Sequence, residues 1–277
     1  MSAAPQPLNR DAGRRLVRAV GMERVPGCYS FPDGDGRPVV MVASYMRSGT
    51  HFLMNAIARG FGYVSRPWLD VDSPPMTLNV FAPEAVAGVF SELGALDLAT
   101  LVKTHHEAPL MAPALQAERP PLIFYIHRDP RAVHRSLWRY HHRLGWDEGP
   151  RCRTPAELMR TPPSGRMLRY STEQQPTMLH RWAAHVERWL ALADAEPPVV
   201  PVAYEALAED YPGTLARLGE SLGMAPLDLT PPDRSESILP GDWQDTAADA
   251  PAWTPEDERF LRSVCPALLD RLIGVGQ

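Results

Sequence analysis

Three short clusters hold residues able to manage a highly charged group. The first is Arg47-Ser48-Gly49-Thr50, set in VVMVASYMRSGTHFLMNAI (residues 39–57), where a β-branched apolar run gives way to a polar turn and then to an amphipathic helical pattern. A turn at a helix N-terminus offers unpaired N–H donors and the positive end of the helix dipole, so it favours a phosphate. Gly49 allows close backbone approach, Ser48 and Thr50 add hydroxyls, and Arg47 adds a fixed cationic fork. The second cluster pairs Arg128 with Ser136, eight residues on and about two helical turns away. The third is Lys103-Thr104-His105-His106, a cation and two imidazoles following the apolar pair Leu101-Val102. An ATP-binding Walker loop is not present: Ser44 and Thr50 stand where that motif needs a glycine and a lysine.

Each cluster follows an apolar run and must be carried on a strand end. The spacing predicts strands over 38–44, 99–104, 121–126 and 198–203, with helices over 50–60, 130–142, 177–194, 212–222 and 255–272. Asp129-Pro130 is a helix-start signal. Strands alternating with helices imply an α/β domain with a mostly parallel central sheet flanked by helices, and ligand sites beyond the strand C-termini. Leu179, Trp182, Val186, Trp189 and Leu190 form one stripe of the long helix and read as its core face. His106 reads as structural, as do Trp182, His185 and Trp189, while a helix C-terminal dipole accounts for His141 and His142.

The ordered set resembles the cytosolic-type, PAPS-dependent sulfotransferases (sulfotransferase 1-like domain), whose motifs read roughly YPKSGTTW, KTH and RNPKDVxVSxY. Here Arg47 stands for the loop lysine, Ser48, Gly49 and Thr50 match, and His51-Phe52 replace Thr-Trp. The resemblance implies a P-loop-NTPase-like nucleotide-binding core. It also implies 3′-phosphoadenosine 5′-phosphosulfate (PAPS) as donor and PAP as product, with the first loop at the 5′-phosphosulfate and Arg128 with Ser136 at the 3′-phosphate. Lys103 and His105 fall on the family's lysine and catalytic base. WAAHVERW from Trp182 resembles the WxxHVxxW helix, and AYEALAED brings Tyr204 to the adenine side or to the core. PGDWQD from Pro240 resembles the last loop, but Glu236, Ser237 and Ile238 replace its Arg-Lys-Gly, leaving Arg234 as a candidate substitute. The dimerising KxTVxxxE segment is not recognisable, so that contact does not carry over.

With 277 residues, 44% hydrophobic and 22% charged, the chain fits a single domain over 1–277, its core over about 37–270 and a substrate-side flap over 143–176. The net charge of −5 argues against a nucleic-acid surface. No run is long enough to span a bilayer, and MSAAPQPLNRDAGRR lacks the apolar core of a signal peptide, so a soluble, cytoplasmic protein is expected. Three widely spaced cysteines fit neither a disulfide framework nor a zinc site, and no HExxH or carboxylate cluster proposes a metal. The thirty prolines mark loops and strand entries.

For sulfuryl transfer, Arg47 and Lys103 would neutralise charge on the departing phosphate and His105 would take the acceptor proton. The acceptor is expected to be a small molecule presenting a hydroxyl or amine. Trp68, Phe81, Trp138 and Trp146 suit either a partly apolar acceptor pocket or the core. Two rival readings use the same residues: an Mg-ATP-dependent small-molecule kinase, which lacks its lysine and carboxylates here, and a non-catalytic PAP-binding protein.

Overall fold

The computed structural model describes residues 36–71, 78–95, 99–143, 147–195, 199–232 and 251–274. Five strands, β1 (Val40–Ser44), β2 (Val64–Asp70), β3 (Thr100–Thr104), β4 (Leu122–His127) and β5 (Val199–Ala203), form one sheet in the order β2-β3-β1-β4-β5. Every pairing is parallel. β1 and β4 are buried along their whole length, which explains their nearly unbroken apolar sequences.

Side-chain alternation divides the core in two. Val40, Val42, Phe124 and Ile126 face helices α1 (Thr50–Phe61) and α8 (Tyr211–Leu222). Met41, Ala43, Ile123 and Tyr125 face α4 (Pro130–Arg143) and α6 (Met178–Ala195), where Trp182 and Trp189 are fully buried. The remaining helices are α2 (Pro83–Ala95), α3 (Ala108–Met111), α5 (Pro155–Arg160), α7 (Tyr204–Glu209), α9 (Pro255–Val264) and α10 (Pro266–Gly274), with short 3-10 helices at Ala112–Gln116 and Gly165–Tyr170. Among the described residues no helix is long and apolar enough to cross a membrane.

Three differences from the sequence reading have simple causes. β2 was not expected because Ser65, Arg66 and Pro67 interrupt its apolar pattern; it lies at the sheet edge, where proline costs no ladder bond, and its register shifts between Val64 and Leu69. The single helix expected over 255–272 is two, since Pro266 cannot continue the hydrogen-bond ladder of α9 and instead starts α10. His141 is not a cation answering a helix dipole. It is buried, its Nδ1 donates to Pro150 O (3.0 Å), and burial holds its pKa down to about 4.

Burial likewise lowers His127 to about 4, aided by Arg271, and His185 to about 3, aided by Arg181. The unfolded chain protonates these imidazoles below about pH 6.5, whereas the folded chain refuses those protons down to pH 3–4. Stability therefore falls as pH drops through that window, by about 2 kcal/mol per histidine at pH 5. Urea unfolding at pH 7 and pH 5 should show a large drop in midpoint; equal midpoints would mean the imidazoles accept protons without cost inside the fold.

Candidate active site

The parallel register brings the C-terminal ends of the strands to one edge: Val42 pairs with Lys103, Ala43 with Thr104, and Ser44 with Ile126. The chain leaves β1 through Tyr45-Met46-Arg47-Ser48-Gly49 and enters α1 at Thr50. Arg47 (φ 69°) and Gly49 (φ 102°) both take left-handed conformations, at a cost of about 1 kcal/mol for the arginine. Left-handed residues in a loop before a helix turn backbone N–H groups into an anion-binding concavity. A Cβ at Gly49 would lie 2.4 Å from the Tyr204 ring, so only glycine lets the loop and α7 approach this closely. Ser48 is buried, and its hydroxyl has no partner among the described residues.

Ser44, which the sequence reading did not single out, joins this loop to the imidazole of His105. Its hydroxyl meets Thr50 Oγ1 at 2.6 Å and lies 3.2 Å from His105 Nδ1, and its carbonyl lies 3.0 Å from the same nitrogen. A carbonyl only accepts, so Nδ1 carries the proton and the lone pair is on Nε2. The Tyr170 ring stands edge-on to both His105 and His106, at 5.7 and 5.2 Å between centroids. His106 is buried against Thr104 Oγ1 (3.1 Å), as a structural histidine would be.

Arg47 donates through Nε to Ser136 Oγ (3.1 Å), and its guanidinium lies over the Tyr140 ring at 5.2 Å. Ser136 and Tyr140 are one turn apart on α4, whose start is capped by Asp129 accepting from Arg131 N (2.8 Å) and Ala132 N (3.2 Å). Arg128 stacks on Tyr204 at 4.0 Å, and Phe52 contacts the same ring at 5.9 Å, so Ser136 meets Arg47 and Arg128 meets Tyr204. Arg128 Nε is buried with no partner among the described residues. Glu205 holds this corner by accepting from Asp129 N (3.0 Å).

Lys103 is the exception to this convergence, because its ammonium pairs with Asp70 at the end of β2 (2.6 Å), both side chains being little exposed. Asp70 carried no sequence signal, since the strand that delivers it was itself not expected. Arg234, the 236–238 segment, the Pro240 motif, Trp146 and the Trp68 side chain lie outside the described residues. Phe81 is 65% exposed, while Trp138 is half-buried and donates to Cys152 O (2.8 Å).

A basic, glycine-bearing loop is joined through Ser44 to an imidazole and lies against a cationic stack at Gly49, a set of groups with the chemistry to hold phosphate and to take a proton. Residues 37–238 match the sulfotransferase domain model. The chain belongs to the sulfotransferase family. Its reaction class is accordingly sulfuryl transfer. Mouse sulfotransferase SULT7A1, solved complexed with PAP, shares the fold at a TM-score of 0.52, with 17% identity and 82% of each chain covered. Retinol dehydratase, solved in a complex with retinol and PAP, is 21% identical over 82% of this chain and 76% of its own, at a TM-score of 0.40. No curated protein matches this sulfotransferase-family chain.

Proposed function

We propose that the protein transfers the sulfuryl group of PAPS to a hydroxyl or amine of a small-molecule acceptor. The supporting observation is the junction at Ser44, whose hydroxyl holds the first residue of α1 and whose carbonyl holds the His105 ring, so that base and anion loop are one rigid unit. PAPS, when bound, supplies an activated sulfuryl group on a phosphate leaving group. The Ser48 hydroxyl and the Arg128 Nε, both without a partner among the described residues, and the left-handed Gly49 suit its two phosphate-bearing ends. Arg47, Ser48, Gly49, Thr50, His51 and Phe52 would hold the 5′ end, and Arg128 with Ser136 the 3′-phosphate. Tyr204, stacked with Arg128, would flank the adenine.

In the transfer, the bond from sulfur to the leaving phosphate oxygen breaks as a bond from sulfur to the acceptor atom forms. His105 Nε2 takes the acceptor proton, and the phosphate leaves with the bonding electron pair. Arg47 is always charged, so it would steady that growing negative charge without giving up a proton. Ser136 and the Tyr140 face restrict its guanidinium to few orientations, which lowers the entropy lost on binding. Lys103 would serve as a second cation by turning from its pair with Asp70 toward the donor.

Calorimetric titration of PAP, 5′-AMP and ATP, each with and without Mg²⁺, tests the donor. PAP should bind without metal and more tightly than 5′-AMP. Arg128→Ala should weaken PAP roughly 10–100-fold, as expected for losing a charge-assisted contact, and leave 5′-AMP nearly unchanged. Equal affinity for PAP and 5′-AMP, or binding of Mg-ATP alone, would overturn the PAPS reading.

A further inference from the structure

β3 ends at Thr104, so the carbonyls of His105 and His106 lie beyond its ladder and need partners from other elements. Both receive them from α6. His185 Nε2 lies 3.2 Å from His105 O, and Trp189 Nε1 donates to His106 O at 3.1 Å. His185 and Trp189 are four residues apart and share one helix face. A carbonyl only accepts, so His185 carries its proton on Nε2, and its Nδ1 accepts from the Tyr125 hydroxyl (3.1 Å). Tyr125 in turn stacks on Trp189, with centroids 5.3 Å apart and planes 11° from parallel. His185, Tyr125 and Trp189 are fully buried. The group is a closed strut: β4 orients His185, His185 holds the backbone of His105, and Trp189 braces both.

We propose that His185, steadied by Tyr125 and Trp189, is a positioning residue that sets the ring of His105, an inference that rests on reading His105 as the proton acceptor. His105 is thereby fixed at two points. Its ring is tied to Ser44 O and its backbone to His185. Either tie alone leaves a rotation, about χ1 for the backbone tie or about the chain for the ring tie. Both together hold Nε2 in one direction. A neighbouring clamp completes the segment: fully buried Glu107 accepts from Thr172 N (3.1 Å), Thr172 Oγ1 (2.9 Å) and Arg188, the last also on α6. Residues 105–107 are thus held from α6 by three side chains within two turns, His185, Arg188 and Trp189. A buried neutral imidazole needs one acceptor and one donor whatever its role; here both come from the site strands, the Tyr125 hydroxyl on β4 and the carbonyl just past β3.

The test reads the His105 ring directly. Full-length protein with ¹⁵N-labelled histidine is compared as wild type, His185→Leu, His185→Gln and Tyr125→Phe, with the His105 signal assigned by its loss in His105→Ala. Wild type should show a single His105 tautomer, protonated at Nδ1. His185→Leu should convert it to a mixture of tautomers, while PAP affinity by calorimetry stays within roughly threefold. His185→Gln, which can still donate to His105 O, should restore the single tautomer. Tyr125→Phe removes one oxygen from a fully packed ring. It should loosen His105 in the same direction and serves if His185→Leu does not fold. An unchanged His105 tautomer in folded His185→Leu or Tyr125→Phe would overturn the inference, as would a glutamine variant no better than leucine. Failure of wild type to bind PAP would instead count against the donor reading, and the tautomer result would still decide the positioning role.

Discussion

His105→Ala is expected to lower sulfuryl transfer from PAPS by about 10²–10⁴-fold, the usual contribution of a positioned general base, with PAP affinity little changed. The separation follows from geometry. His105 meets Ser44 at its carbonyl (3.0 Å) and its hydroxyl (3.2 Å), while the shorter Ser44–Thr50 contact (2.6 Å) joins two residues that both remain when the ring is removed. The donor cradle should therefore survive loss of the ring, whereas the acceptor proton would have no lone pair to receive it. Asparagine at the same position can keep a donor toward Ser44 O but supplies no basic nitrogen, so it should be as inactive as alanine. Steady-state transfer to a panel of phenols and alcohols, alongside calorimetry with PAP, would check both halves. Activity within tenfold of wild type in either variant would remove His105 from the chemistry and leave a site that binds and holds charge only.

Gly49→Ala should produce a comparable loss at the binding step, at least 100-fold in PAP affinity, or about 2.7 kcal/mol. Two costs add. At φ 102° an L-residue is strained whatever the space around it, and the new methyl would lie 2.4 and 2.9 Å from two carbons of the Tyr204 ring. That ring cannot yield without consequence, since Arg128 stacks on it at 4.0 Å and Phe52 packs beside it. The clash would thus be transmitted from the 5′ side of the proposed donor site to the 3′ side. Gly223→Ala is the control. It is also left-handed (φ 69°), but nothing lies within 4 Å of its Cβ. It should cost about 1 kcal/mol of stability and leave PAP binding alone. Equal effects of the two substitutions on PAP affinity would show that backbone strain, and not the Tyr204 contact, decides the result.

The sheet's centre was readable because β1 and β4 are buried on both faces, which forces apolar residues at every position and leaves a polar turn as the visible boundary. The same is true of α1 and α4: a glycine-bearing turn before one and Asp129-Pro130 before the other are local signals for local structures. Motif order then sufficed to place the chain in its family, since the spacing of Arg47, Lys103, His105 and Arg128 reflects strand ends that a parallel sheet must bring to one edge.

Other features depended on partners distant in sequence. An edge strand is under no pressure to be apolar at every second residue, so β2 was hidden, and with it the Asp70 partner of Lys103. Ser136 could have bonded to its own helix, but the return of α4 across the sheet offers it Arg47, 89 residues away. The proton position on His105 is set by Ser44 O, 61 residues earlier, and no spacing rule connects the two. His185 reads in the sequence as a structural helix residue, yet only the packing of α6 against the segment after β3 turns its second nitrogen toward His105 O. Residue type and local spacing determine which groups can carry charge or a proton. Their direction is decided by hydrogen bonds between elements that meet only after folding, and direction is what the transfer chemistry requires.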